Sequence, residues 1–366
     1  MSRRISQAAV TLLILLTAGP LAAQDQNQAP GLTAAQKADR AIRQAYDLSQ
    51  NGKDEADFIQ MAELLESVLQ EPNLAQKTRD YAARLKGWAH NRRGELLAKE
   101  GKEKIAAIQF ETAVELNPNH WKARYNRGVS YSLEGQIDKA IDELNTAIDL
   151  NGGYARSWFN RGEAFYAQGK LRESIRDYTQ AIRLDRENAL FYHHRGHSYY
   201  LQRRYQQAIS DYDRSIELNA EDVDPYVYRG DAYAELGAYE QAIQDYRRAL
   251  ALDKNLGRAY LSVAWLLATC PDDDIRNEKQ ALAAAKKAIS LDGEAAGHRY
   301  LEALAAAQAN AGEFDEAQET QQKVVEQAPE QLQVDCRVRL VLYSKKQPYR
   351  QQPAAAAGEW RSQVDP

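Results

Sequence analysis

The stretch SWFNRGEAFYAQGKLRESIRDYTQAIRLD, residues 157–185, divides into two halves that meet at Gly169. In the first half Trp158, Gly162 and Phe165 recur at helical spacing, and Gly169 ends the pattern as a glycine just beyond a helix C-terminus does. In the second half Ile175, Tyr178, Ala181 and Ile182 form one apolar stripe. Two short amphipathic helices joined by a tight turn are expected. Neither can bury its stripe alone, so the unit depends on neighbours.

Those neighbours are present. ARYNRGVSYSLEGQIDKAIDELNTAIDLN (123–151), LFYHHRGHSYYLQRRYQQAISDYDRSIELN (190–219) and DPYVYRGDAYAELGAYEQAIQDYRRALALD (224–253) follow the same plan. Gly128, Gly162, Gly196 and Gly230 stand 34 residues apart, as do Tyr131, Phe165, Tyr199 and Tyr233, and Ala147, Ala181, Ser215 and Ala249. Small residues at 162 and 181 let the helices approach closely. The pattern resembles the tetratricopeptide repeat. That resemblance implies an all-α, right-handed α-solenoid of helix pairs with capping helices.

The register extends in both directions. A unit from Gly87 keeps Gly94, Ala106, Phe110, Ala113 and Pro118; a unit from Gly257 carries a longer connection at 271–277, expected to protrude; and a unit from His298 keeps Gly312, Phe314, Ala317 and Pro329. Seven repeats are therefore expected over 87–331. Residues 33–86 read as an N-terminal helical cap with a divergent repeat, and 332–346 as a capping helix for the last exposed face. The Pro, Gln and Ala bias of 347–366 predicts a disordered tail.

At the N-terminus Arg3 and Arg4 precede an uncharged stretch, 5–23, that is too short to span a bilayer and is broken at Pro20. Residues 1–23 read as a signal peptide and 24–32 as a polar linker. Export to the periplasm or cell envelope is expected, with no membrane insertion after the signal is removed. The closing repeats also look like those of many bacterial exported tetratricopeptide proteins. The formal charge is -5, and loss of the two arginines with 1–23 takes it to -7. That balance argues against nucleic acid as a partner. Cys270 and Cys336 lie about two repeats apart, so two separate thiols are expected rather than a disulfide.

One column sets this chain apart from the usual pattern. At the seventh position of helix A, where the family has leucine, stand Arg93, Arg127, Arg161, Arg195 and Arg229; sixteen residues on come Gln109, Glu143, Asp177, Asp211 and Asp245. Val263 and Leu304 replace arginine in the last two units, and the matching acid disappears with it. Structural ion pairs are expected at Arg127–Glu143, Arg161–Asp177, Arg195–Asp211 and Arg229–Asp245, partly desolvated rather than free on the surface.

The resemblance also implies a concave groove lined by helix A positions 2, 5, 6, 9, 12 and 13. Here these positions supply Tyr125, Asn126, Phe159, Asn160, Glu163, Tyr166, His193, His194, His197, Tyr200, Tyr228, Asp231 and Trp265, with Val227 and Leu261 beside them. Rings offer contact area to a peptide or protein partner, and Asn126 and Asn160 would bond its backbone. His193, His194 and His197 share one arc, with Glu163 and Asp231 at the ninth position on either side of His197. A metal there is a weaker alternative, because neighbouring helices stand about 10 Å apart.

No phosphate loop, His-Glu-x-x-His run, Cys-x-x-Cys or Gly-x-Ser-x-Gly motif occurs. The expectation is a non-enzymatic interaction scaffold with no cofactor and no committed metal site. A self-assembling structural protein with an empty groove is the alternative.

Overall fold

A computed structural model describes residues 32–292 and 297–352. The expected signal peptide at 1–23 and the tail beyond 352 lie outside the described residues. A leading pair, α1 (Ala34–Asn51) and α2 (Glu55–Leu69), precedes seven further pairs. These are α3 (Gln76–Lys99) with α4 (Glu103–Leu116), α5 (Trp121–Leu133) with α6 (Ile137–Leu150), and α7 (Ala155–Ala167) with α8 (Leu171–Leu184). Then come α9 (Ala189–Leu201) with α10 (Tyr205–Leu218), α11 (Asp224–Glu235) with α12 (Tyr239–Leu252), α13 (Gly257–Thr269) with α14 (Glu278–Asp292), and α15 (His298–Asn310) with α16 (Phe314–Gln327). A 3-10 turn, Glu330–Leu332, leads into α17 (Gln333–Ser344), and no strand occurs among the described residues.

Each helix packs on the next in sequence, and the first helix of a pair also touches its counterpart in the following pair. The core is a row of local clusters rather than one centre, the arrangement of an α-solenoid. Within a pair, glycine on the first helix receives a ring from the second. A Cβ added at Gly162 would lie 2.6 Å from Tyr178 Cε1, and Tyr178 is fully buried. The turn between paired helices uses a left-handed residue: Gly101, Gly135, Gly169, Gly237 and Gly312 have φ between 72° and 81°. Arg203 fills the same place in the α9–α10 pair with φ 57°.

Three features depart from the repeat register. First, α3 begins at Gln76 and runs unbroken through Gly87, so the cap and the first repeat share one helix. Second, the longer 271–277 connection is exposed at 271–274, as expected of a protruding loop, but anchored at its far end. Ile275 packs against both flanking clusters, Asn277 N donates to Leu267 O (3.1 Å), and Arg276 Nη1 donates to Cys270 O (2.7 Å). Third, residues 347–352, expected to begin the disordered tail, fold back onto the repeats (below). Cys270 and Cys336 are unpaired and buried.

Candidate functional site

The arginine column forms a lattice. Arg161 Nε and Nη2 donate to Asp177 Oδ2 and Oδ1 at 2.6 and 2.9 Å. Arg195 grips Asp211 at 2.8 and 2.7 Å, and Arg229 grips Asp245 at 2.8 and 2.6 Å, in the same two-pronged way. Arg127 reaches Glu143 Oε1 at 2.6 Å, and Arg124 shares that carboxylate at 3.2 Å. Burial, the larger influence, pushes the Asp211 and Asp245 carboxyls up, while the facing arginine pulls them back down. Arg93 differs: its partner is Glu55 on α2 (2.8 Å), and Gln109 instead bonds His90 Nδ1 (2.8 Å). These arginines are committed to holding helices together.

The groove residues do less uniform work than their positions implied. Asn126 Nδ2 donates to Asn91 Oδ1 (2.8 Å), and Asn160 Nδ2 to Tyr125 Oη (3.0 Å), each bridging to the preceding repeat. In this structure both amides are engaged within the protein, because the previous repeat offers an acceptor within reach of each. Phe159 is buried between Tyr178 and Phe191, with centroids 5.7 and 4.9 Å away, and belongs to the core between repeats. Val227 is likewise fully buried.

The histidine arc is an aromatic cluster. Tyr228 sits 4.5 Å from His197 and 5.3 Å from His193, with the Arg258 guanidinium 3.5 Å over its ring; Tyr166 lies 5.7 Å from His197. Tyr200 stacks near His197 at 6.3 Å and meets Tyr205 edge-on. Burial, more than the nearby positive charges, pushes His193 down to about 3 and His197 down to about 4, so both rings are neutral. The row of Glu163, His197 and Asp231 that the metal alternative needs does not form. Glu163 accepts from the Tyr178 hydroxyl and faces His194 Nδ1 at 2.7 Å, while Asp231 accepts from Tyr246 Oη at 2.8 Å. Among the described residues no group of three or more His, Cys, Asp or Glu is arranged to hold a metal.

Trp265 marks a different end of the groove. Its Nε1 donates to Gln351 Oε1 (2.8 Å), and its ring lies 5.8 Å from Tyr349. Beside it is a cavity of about 210 Å³ bounded by Tyr200, Asp231, Glu235, Tyr246, Arg299, Glu302 and Gln351. Burial pushes the Glu235 carboxyl up, against the opposing hydrogen bond from Tyr205 Oη (3.2 Å).

Family models match the middle of the chain. One described as TPR repeat covers residues 131–169 and 162–203, and two described as Tetratricopeptide repeat cover 189–222 and 223–261, and 110–142. The chain is a tetratricopeptide repeat protein. Among solved structures, that of MamA protein is 21% identical over 46% of this chain and 92% of its own, with TM-score 0.42. YrrB, described as a TPR protein with an unusual peptide-binding site, is 16% identical over 54% of this chain and 96% of its own, at 0.45. The APC/C hetero-tetramer Cut9-Hcn1 is 15% identical over 74% of this chain and 55% of its own, at 0.51, a likeness of fold alone. No curated protein matches the chain by sequence.

Within this tetratricopeptide frame, two sets of contacts escaped the sequence reading. Three of the arginines have a third bond, to the preceding repeat: Arg161 to Asn145 Oδ1 (2.7 Å), Arg195 to Thr179 Oγ1 (3.1 Å) and Arg229 to Asp213 Oδ1 (2.5 Å). Asn145, Thr179 and Asp213 are 34 residues apart, and all three offer an oxygen. Arg247 takes over that column opposite Val263, so a search for acceptors lost together with the arginine would have found it. The second set belongs to residues 347–352.

Proposed function

We propose that the protein binds a peptide or protein partner along its concave face, in the cell envelope after export. The observation that carries this reading is the run of half-buried rings on groove positions of three consecutive repeats. Tyr166, His193, His197, Tyr200 and Tyr228 touch one another and leave an aromatic surface with neutral imidazoles between them. Such a surface gives contact area at little conformational cost, since the rings are already held in place. Binding is favoured over catalysis because the groove carboxylates Glu163 and Asp231 are engaged by tyrosine hydroxyls.

The test is capture of partners from an envelope fraction with the native chain, followed by affinity measurement for the captured protein. Tyr228→Ala together with His197→Ala is expected to weaken binding at least tenfold, at unchanged helical content. Unchanged affinity in that variant would remove the groove from the account.

A further inference from the structure

After α17 the chain turns at Lys346, whose φ is 57°, and residues 347–352 cross the concave face of the last three repeats. Gln351 N donates to Thr269 O at 2.8 Å. The Gln351 side chain is satisfied at both ends, its Oε1 by Trp265 Nε1 (2.8 Å) and its Nε2 by Glu235 Oε1 (3.2 Å). Arg350 Nη1 donates to Ala268 O and its Nη2 to Asn310 Oδ1, both at 3.0 Å. Tyr349 lies against Trp265, with the Arg339 guanidinium 5.3 Å from the tyrosine ring. The partners sit on α11, α13 and α15, the first helices of three successive pairs.

These are the contacts by which an extended peptide is recognised: a main-chain hydrogen bond, a ring on a ring, and an amide read at both of its ends. Cys336 and Tyr343 of α17 cap the last repeat by packing on α15 and α16, and Tyr349 joins the Tyr343 cluster, but Arg350 and Gln351 reach past that cap to α11, α13 and α15. Tyr349 is the only large apolar side chain in residues 347–352 and the other contacts are hydrogen bonds, so little apolar surface is exposed when the segment leaves.

We propose that Trp265, Thr269 and Glu235 form a seat for an extended peptide bearing an aromatic residue and, two positions later, a carboxamide. The chain's own Tyr349 and Gln351 occupy this seat and must leave when a partner segment of the same chemistry enters. The identity of such a partner rests on the groove reading above; the existence of the seat does not.

The test uses a fluorescently labelled peptide with the sequence of residues 346–352 and measures its anisotropy against full-length protein. Tyr349→Ala with Gln351→Ala changes no helix residue and frees the seat, its fold checked by circular dichroism because Tyr349 also packs on the Tyr343 cluster, and this chain is expected to bind the peptide at least tenfold more tightly than the native one. Adding Trp265→Phe, which keeps an aromatic ring but removes the N–H bonded to Gln351 together with the pyrrole half of the indole, is expected to reverse several-fold of that gain. A peptide with alanine in place of its tyrosine should bind poorly. Equal binding to the native and tail-substituted chains, or binding indifferent to Trp265→Phe and to the peptide's tyrosine, overturns the proposal. A captured groove partner that binds both chains equally also overturns it, while leaving the proposed function intact.

Discussion

The four repeats spanning α5–α12 and the two spanning α13–α16 keep one geometry by different chemistry. In the first group a glycine on one helix meets a large side chain on its mate, Leu144 or one of the rings Tyr178, Tyr212 and Tyr246, and a buried arginine–carboxylate pair joins the two. In the second, Ala264 and Ala305 stand in the glycine's place, and Val263 and Leu304 in the arginine's. There Ala264, Ala268, Ala281, Ala285, Ala303 and Ala307 are all buried, and α13 packs along α15 far more extensively than first helices touch elsewhere. Directional polar bonds fix the helices in one group; close approach of small residues fixes them in the other. The C-terminal segment docks on the first helices of the second group, with Glu235 of the first group at its edge.

The sharpest way to break this comparison is to remove one half of a pair. Asp177 is fully buried, so Asp177→Ala strands the Arg161 guanidinium and is expected to cost about 3–5 kcal/mol in chemical denaturation followed by circular dichroism. Replacing both, Arg161→Leu with Asp177→Leu, should recover most of that loss, because two apolar side chains need no partner. A single-variant loss below about 1 kcal/mol would mean that the pairs behave as ordinary surface charges.

Acid should unfold the first group before the second. His193 and His197 have folded-state pKa values near 3 and 4, below the unfolded value, so the unfolded chain takes up protons first as pH falls. Their contribution is fully present above about pH 6.5 and is lost below it, at about 1.4 kcal/mol per pH unit for each ring. The groups acting on them are Arg258 and His194, with Glu163 opposing at His197. His193→Gln with His197→Gln should flatten the stability profile between pH 6.5 and 5. A profile as steep as that of the native chain would place the acid sensitivity elsewhere.

The glycine positions offer a smaller test. Gly162→Ala gains about 1 kcal/mol in helix propensity but drives a methyl into the Tyr178 ring, at a cost of about 1–3 kcal/mol. A net loss of about 1 kcal/mol is expected. Ala264→Gly, the reverse change in the second group, should also lose about 1 kcal/mol, through propensity alone.

What could be read from the sequence follows from which contacts lie inside one repeat. The Arg161–Asp177 pair falls within a unit, so the 16-residue spacing exposed it in column after column. The bonds of Asn126 and Asn160 depend on Asn91 and Tyr125 in the unit before, and a pattern read one repeat at a time does not show them. The tail failed for a different reason. Pro, Gln and Arg in 347–352 match the composition of a disordered segment, and its main anchor, Trp265, is 86 residues away from Gln351 in sequence. Composition reports whether a segment can build its own core; it carries nothing about a surface built elsewhere that will receive it.

The smallest expected effect connects the repeat scaffold to that surface. Arg203 adopts the left-handed conformation that glycine adopts in four of the other turns between α3 and α13, and in the turn between α15 and α16. For a residue with a Cβ this costs about 1–2 kcal/mol, of which about 0.5–1 kcal/mol is returned by the lower unfolded-state entropy relative to glycine. Arg203→Gly should therefore leave the fold as stable as before or more stable by up to about 1 kcal/mol. The arginine's charge acts on Tyr205 and Glu235, drawing both pKa values down against burial, and Glu235 is the acceptor for the Gln351 amide. A stabilised Arg203→Gly chain whose C-terminal segment docks less tightly would show that the strained turn serves the seat. If the variant is instead destabilised, Arg203 belongs to the scaffold, and the difference between the two groups of repeats is one of packing alone.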